Sequence, residues 1–253
     1  MRKVFGIIRY TFIEIFRNKV YYVLLLFAGL IILSTLLLGD LGGEQRARMI
    51  IDLGLAAIEA LSLVISVFAA VTLVLEEMET RTLYLILTRP VARYQFVLGR
   101  FLGLLAIMTV AFGLMAAGHS ALLKLLHISL DRHYALSLYY SWEKIVVITA
   151  VAMVFSLFST STLSAVTFTF FFWVLGHFSG ELRFLAEKES RPMVAWACKM
   201  VYYLAPNFEA MNIHDFPLNA LTPGWLWAAF GYGFIYTGAC LFVTVLLFRK
   251  KEF

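Results

Sequence analysis

The sequence predicts an all-α integral membrane protein with six transmembrane helices, an N-terminal interfacial amphipathic helix and a short re-entrant or interfacial outer helix before the last span. The first supporting observation is the composition: 62% of the 253 residues are hydrophobic, 15% are charged and the mean hydropathy is +0.85. Soluble chains are about 45–50% apolar and about 25% charged, so a soluble domain of this length could not bury so much apolar surface. We therefore expect residues 1–253 to form a single transmembrane domain.

The second observation is the length of the apolar stretches. A helix needs roughly 20 apolar residues to cross the hydrocarbon core of a bilayer, and several stretches reach or approach that length. They are Tyr21–Leu38, Leu53–Leu75, Phe96–Gly118, Ile145–Phe158, Leu163–Phe178 and Trp225–Phe248. Only Ser159–Thr162 separates the fourth stretch from the fifth, so the two could form one very long helix. We expect a tight helical hairpin, because their combined length exceeds one ordinary span.

Lys and Arg indicate the orientation of these spans, since cytoplasmic loops carry an excess of both. With the N-terminus in the cytoplasm, basic residues are denser in the inner segments, and six spans return the C-terminus to the same side. This assignment places Lys144 in an outer segment, just before the fourth span. We expect the first span to be retained, because no small-residue cleavage site follows it.

Charge and cysteine content narrow the classes further. In a membrane protein a net charge of +5 suggests anionic lipid head groups and not nucleic acid. Cys198 and Cys240 have no CxxC or Cys/His spacing, so neither a zinc site nor a disulfide framework is predicted. No H-E-x-x-H or G-x-S-x-G motif occurs, so intramembrane hydrolysis has no support.

Residues 1–19 form a separate element before the first span. On a helical wheel one side is apolar and the other is charged, which is typical of a basic amphipathic helix lying in the membrane interface. The apolar side carries Val4, Phe5, Ile8, Phe12, Ile15 and Phe16. The charged side carries Arg2, Lys3, Arg9, Glu14 and Arg17. The alternative is that this segment simply extends the first span.

The outer segment, residues 179–224, is too apolar for a plain loop. Pro192 can begin a helix, Met193–Ala205 is apolar, and Pro206 ends it. This helix is too short to span the membrane, so we expect it to be re-entrant or interfacial.

Residues 76–95, between the second and third spans, have the pattern of a short docking helix at the cytoplasmic surface. Acidic residues begin the segment, an apolar run follows, and Pro90 disfavours helix at Arg89. The residues expected to dock a partner are Glu76, Glu79, Thr82, Leu83, Ile86, Arg89, Pro90 and Arg93. An ordinary connecting loop is the alternative, although such loops rarely carry a central apolar run.

This segment resembles a known family. The run E-x-x-T-x-x-L-x-x-x-R-P-x-x-R begins at Glu79 and ends at Arg93, and it is similar to the permeases of ABC exporters of the type-2 class. The later run Pro206–Asn212 resembles the outer P-N-x-E-x-x-N segment of the same permeases. Chain length, the predicted spans and the order of these elements agree with the resemblance over nearly the whole chain.

The resemblance implies a transmembrane permease domain that couples ATP hydrolysis in a separate ATP-binding cassette subunit to outward movement of an unidentified, amphiphilic substrate. A second permease copy is implied, as a homodimer or a related heterodimer, in a bacterial inner or plasma membrane. ATP and Mg would be bound by the partner, because this chain has no G-x-x-x-x-G-K-[ST] phosphate loop. No cofactor and no catalytic residue are expected in the chain itself. Pro206, Asn207 and Glu209 would belong to an outer gate.

Two residues are candidates for a translocation path. Glu59 lies inside the second span, where an acid is costly and therefore suggests function, unless it reaches the outer head groups. Thr167 belongs to a hydroxyl-rich fifth span that lines a path or bonds between helices. Gly99-x-x-x-Gly103 predicts close helix packing.

Other interpretations stay open on the sequence alone. The chain could be a non-transport membrane anchor that recruits a cytoplasmic ATPase through residues 76–95, or an ion-coupled carrier built around Glu59. The outer histidines, among them His119, His133 and His214, could bind a metal, although their spacing favours ordinary interfacial histidines.

Overall fold

The computed structural model describes residues 2–17, 19–39, 43, 45–79, 92–189, 191–216 and 221–250. Within these ranges the chain is helical and contains no strand. The α-helices are α1 (Arg2–Phe16), α2 (Lys19–Gly39), α3 (Arg46–Glu79), α4 (Arg93–Leu125), α5 (Arg132–Phe158), α6 (Thr162–His177), α7 (Ser179–Lys188), α8 (Pro192–Leu204) and α9 (Pro223–Lys250).

Four helices are long and apolar enough to cross a membrane: α3, α4, α5 and α9. Together α6 and α7 meet the same test as a pair bent by 68°, which raises the number to five within the described residues. Helix α2 is 21 residues long, close to the length that a span requires, and Ala28–Leu37 is its described apolar part. Among the described residues, four or five of the six predicted spans are therefore confirmed.

The fourth predicted span begins earlier than expected. Helix α5 starts at Arg132 and not near Ile145, and it is 27 residues long. Hydropathy missed its first half because polar side chains in this half, including Glu143 and Lys144, are buried between helices and do not face water or lipid. The assignment of Lys144 to an outer segment was wrong.

The hairpin between the fourth and fifth spans is confirmed. Helix α5 ends at Phe158 and α6 begins at Thr162, after Ser161 accepts a hydrogen bond from the Ser164 amide at 3.3 Å. The two helices fold back on each other, since the Phe155 ring lies 4.8 Å from the ring of Phe172.

The core lies where α5 packs against α3, α6 and α9. Its fully buried members include Ile58, Val147 and Ile148. At one end of the bundle Ile50 of α3, Leu123 of α4 and Tyr134 of α5 form a smaller apolar cluster. Consecutive helices α3 and α4 therefore run in opposite directions, with the start of α3 beside the end of α4.

Helix α1 packs along the start of α4, at the predicted glycine pair. A Cβ added at Gly99 would lie 2.8 Å from the Ile7 side chain, and one at Gly103 would lie 2.6 Å from Thr11 and 2.8 Å from the Ile8 carbonyl oxygen. The glycines therefore allow the two backbones to approach closely. Between them, the buried Arg100 donates to Glu14 at 2.5 Å and to Thr11 at 3.1 Å.

The apolar side predicted for α1 is only partly the side that packs against the other helices. Ile15 of that side is buried, whereas Phe5 and Phe16 are exposed, and Thr11, which lies outside that side, is also buried. The helical wheel did not identify Thr11 as a contact, because α1 meets α4 at the glycine pair through small and polar groups. The interfacial position of α1 stays a prediction.

The predicted outer helix is present with nearly the expected bounds. Helix α8 begins at Pro192, is 13 residues long, and ends before Pro206. It packs against α7, and none of its residues is buried.

Candidate functional site

A cavity of about 330 Å³ opens at the end of the bundle where α3 begins. Helices α3, α5 and α6 line it together with the segment that follows α8. Its ionisable lining residues are Asp52, Glu59, Lys144, His177 and His214. This volume falls within the range of about 300–1,000 Å³ that is usual for small-molecule sites.

Glu59 is held inside the cavity by three side chains from other helices. The Lys144 ammonium lies 2.5 Å from one carboxylate oxygen, and the Ser141 hydroxyl donates to the other at 2.6 Å. His177 Nε2 lies 3.5 Å from Glu59. The Lys144 side chain is 2% exposed and that of Glu59 is 14% exposed. The ion pair is therefore largely removed from water. Removing one partner is costly, because the other charge is left buried without a counter-ion.

The sequence signal for Lys144 was present but weak. Buried residues of α5 recur at helical spacing from Ser137 through Ser141 and Lys144 to Ile148, which is the period of one helix face. Extending the buried face of the fourth span backwards along that spacing would have placed Lys144 on the side of α5 that faces other helices.

Asp52 forms the outer part of the site. It lies two turns before Glu59 on the same face of α3, and His214 Nε2 is 3.0 Å from its carboxylate. His133 Nε2 donates to the carbonyl oxygens of Ile213 and Phe216, which fixes the chain beside His214. A metal site gains no support, since no group of three potential ligands occurs in the described part of the chain.

The predicted gate residues lie in a tightly bonded segment beside this cavity. The Ser179 hydroxyl lies 2.8 Å from Asn207 Oδ1 and 3.1 Å from Glu209 Oε2. The amide of Asn207 donates to the Tyr232 hydroxyl of α9 at 2.8 Å. Phe208 is fully buried, and its amide donates to the Gly176 carbonyl at 3.0 Å. The segment is therefore joined to α6, α7 and α9.

Comparison with protein families identifies the chain. The sequence model of the ABC-2 family of transporter proteins matches residues 12–253. The chain belongs to the ABC-2 transporter family. No curated protein sequence gives a significant match to the chain.

As an ABC-2 permease, the chain is a multi-pass membrane component of an ABC transport system, and the predicted resemblance is confirmed. The family supplies membrane components that work with an ATPase partner and are generally not catalytic themselves.

The predicted docking residues of the permease are only partly described. Thr82, Leu83, Ile86, Arg89 and Pro90 lie outside the described residues. Glu76 and Glu79 belong to the last turn of α3. Arg93 begins α4, and its guanidinium donates to the carbonyl oxygens of Phe248 at 3.2 Å and Arg249 at 2.6 Å. The end of α9 thus meets the start of α4 at the end of the bundle opposite the cavity.

The two path candidates are not brought together. Glu59 lines the cavity, whereas Thr167 is exposed and its hydroxyl donates to the Leu163 carbonyl of its own helix at 2.8 Å. The path role of Thr167 stays a prediction.

Sequence analysis also missed Glu143 of α5. Its carboxylate is buried against Gly233 of α9, and neither oxygen has a hydrogen-bond partner among the described residues. The predicted start of the fourth span at Ile145 places this acid just outside that span, whereas α5 includes it.

The packing of the segment Pro206–Glu209 against Gly176 gives a testable prediction for the permease. A Cβ at Gly176 would lie 2.5 Å from the Phe208 ring and 2.6 Å from the Pro206 carbonyl oxygen. We expect Gly176→Ala to displace the segment and to cost about 1–3 kcal/mol of unfolding free energy, the usual cost of overpacking. Unfolding in mixed detergent micelles measures this loss. Gly238→Ala is the control, because nothing lies within 4 Å of its added Cβ. Equal destabilisation by the two variants would contradict the packing of Phe208 and Pro206 against Gly176.

Proposed function

We propose that this permease is the transmembrane subunit of an ATP-driven ABC exporter, and that it couples ATP hydrolysis in a separate nucleotide-binding subunit to outward movement of an amphiphilic substrate. The observation that carries the proposal is the family match over residues 12–253. The absence of a phosphate loop from the sequence supports ATP and Mg binding by the partner subunit. The export direction and the amphiphilic cargo are part of the proposal.

In this proposal the cassette subunit docks on residues 76–95. The segment joins α3 to α4, so a push on it acts on both helices at once. Arg93 supports this role, because its bonds to the Phe248 and Arg249 carbonyls join the start of α4 to the end of α9. Cations stabilise helix C-termini in this way. We propose that this end of the bundle, where α4 begins and α9 ends, faces the cytoplasm of a bacterial cell, and that both chain termini are cytoplasmic.

Helix α1 would move with the docking segment. It is fixed to α4 by close packing at Gly99 and Gly103 and by the ion pair of the buried Arg100 with the partly exposed Glu14. A rigid-body motion of α4 would therefore carry α1 with it. We propose that α1 lies in the membrane interface and forms a second contact with the cassette subunit.

Two permease copies would form the transport path between them, as a homodimer or a related heterodimer. The segment Pro206–Glu209 would act as the outer gate, since it is bonded to three helices that reach the cavity end of the bundle. A scaffold without transport has no comparable support, because the family is one of transporters. An ion-coupled carrier built on Glu59 is disfavoured by the buried Lys144 that neutralises this acid.

Co-purification with the cassette subunit tests the docking proposal. We expect Ile86→Asp to reduce recovery of the ATPase about tenfold or more, because a charge in an apolar contact has to be desolvated on binding. Ile86 is preferred over Arg93, whose replacement would also disturb the end of α9.

The matched control is Met193→Asp, on the exposed surface of α8 away from the docking end. Both variants should remain folded and monodisperse in detergent. Undiminished ATPase recovery with Ile86→Asp would count against docking at residues 76–95.

A further inference from the structure

The cavity presents acids to its opening and hides its ammonium group. The Asp52 side chain is 38% exposed and that of Glu59 is 14% exposed, whereas that of Lys144 is only 2% exposed. The Lys144 ammonium is also paired with the Glu59 carboxylate, at 2.5 Å. A ligand that enters therefore meets the Asp52 carboxylate first, and behind it a Glu59 carboxylate that is already paired with Lys144.

The other ionisable groups do not reverse this balance at neutral pH. His177 faces Glu59 and His214 faces Asp52, and a histidine supplies full charge only when it is protonated. Arg48 lies outside the lining, 3.7 Å from Asp52, and its side chain is 79% exposed. An exposed pair of this kind is strongly screened by water.

An aromatic wall stands beside the acids. The Trp173 indole lines the cavity beside His177, with ring centroids 4.4 Å apart and ring planes tilted by 52°. The remaining lining is largely apolar, with Leu55, Met211 and Ile213 among its members. Indole faces attract organic cations, and apolar walls accommodate their hydrocarbon parts.

We infer that this cavity binds a small organic cation, an ammonium group with a compact apolar or aromatic body. The cationic centre would lie against Asp52, the more exposed acid of the cavity, with the body against Trp173. The cavity volume of about 330 Å³ suits such a molecule and is far larger than a bare inorganic cation needs. The inference rests on the proposed function in one respect, because it names a class of cargo, or of ligand at the outer end of the path.

Binding is measured on the full permease in nanodiscs, without ATPase and without transport. Isothermal titration uses benzyltrimethylammonium as the cationic probe and phenylacetate as an anion of similar body, at constant ionic strength. We expect the cation to bind and the anion to show no heat above dilution. Asp52→Asn should weaken cation binding about tenfold, the effect of losing one charge-assisted contact.

Glu187→Gln is the matched control. Like Asp52, Glu187 has an exposed basic partner one turn away, here Arg183 at 3.0 Å, but it is not part of the cavity lining. Its cation affinity should stay within about twofold of the unmodified chain, because a screened surface pair contributes little.

Three outcomes would overturn the inference. The first is equal affinity of the unmodified chain and Asp52→Asn for the cation, and the second is comparable binding of phenylacetate. The third is displacement of the organic cation by sodium ions at an equal concentration, which would indicate a site for inorganic cations. The assay is independent of the docking test. A chain that recovers its ATPase but binds no organic cation refutes only the ligand class. A chain that binds the cation but recovers no ATPase refutes the exporter proposal and keeps the site.

Discussion

Glu59→Gln is expected to destabilise the permease by about 3–5 kcal/mol, the usual cost of removing one partner of a buried ion pair. The Lys144 side chain is 2% exposed, and in this variant its ammonium would remain buried without an anion at 2.5 Å. An amide at position 59 can still accept a hydrogen bond from Ser141, so the loss comes from the unpaired charge and not from lost packing. Lys144→Met alone should be costly for the reciprocal reason.

The double variant Glu59→Gln/Lys144→Met should recover most of this loss, because neither charge is then left buried alone. Reversible unfolding in mixed detergent micelles gives the free energies for the two single variants and the double variant. The coupling energy follows from their comparison. Asp52→Asn is the control and should cost less than about 1 kcal/mol, since its partners Arg48 and His214 are partly exposed. Additive losses in the double variant would contradict a direct interaction between Glu59 and Lys144.

The pair also shows what hydropathy can and cannot find. Apolar runs such as Leu53–Leu75 and Phe96–Gly118 identified α3 and α4, because lipid-facing and core-facing residues are both apolar there. The same criterion failed for the first half of α5, where Lys144 and Glu143 are buried against other helices. Hydropathy averages over all faces of a helix, so it cannot tell a polar loop from a polar helix face that other helices cover.

Local signals predicted the outer helix well and its surroundings poorly. Pro192 and Pro206 act on their own backbone, so they fix where α8 begins and ends without reference to the rest of the chain. The contact between Phe208 and Gly176 joins two residues that are far apart in the sequence. Nothing in the run Pro206–Asn212 indicates which helix accepts it, and only the folded arrangement supplies that information.

For the glycine pair of α4, the sequence predicted a close helix contact but not the helix that makes it. Gly99-x-x-x-Gly103 predicted a close approach of two helices, and the approach is confirmed. The spacing did not identify the partner, because α1 was expected to lie in the membrane interface through its apolar side. The deciding residue is Arg100, whose buried guanidinium requires Glu14 and Thr11 beside it. A charge inside the predicted third span was a signal that α1 covers this position.

Gly103→Leu is expected to release α1 from α4 and to impair coupling to the ATPase. Even the first added carbon would lie 2.6 Å from Thr11 and 2.8 Å from the Ile8 carbonyl oxygen, which belongs to the backbone and cannot turn away. The helix must move, which costs about 1–3 kcal/mol by overpacking alone. The displacement also separates Arg100 from Glu14, so the total loss should exceed that range.

Gly113→Leu is the matched control on the same helix, because nothing lies within 4 Å of its added Cβ. Both substitutions gain the same helix propensity, about 0.8–1 kcal/mol relative to glycine, so their difference isolates the packing at α1. Trypsin cleavage at Arg9 and Arg17 measures release of α1, since both sites are exposed but lie at or within a helix that resists cleavage while it is docked. Faster cleavage and loss of ATP hydrolysis by the complex of Gly103→Leu with its ATPase, while co-purification of the ATPase is retained, would mean that α1 transmits motion. Unchanged cleavage in Gly103→Leu would mean that α1 does not depend on this contact, and the coupling role of α1 would fall with it.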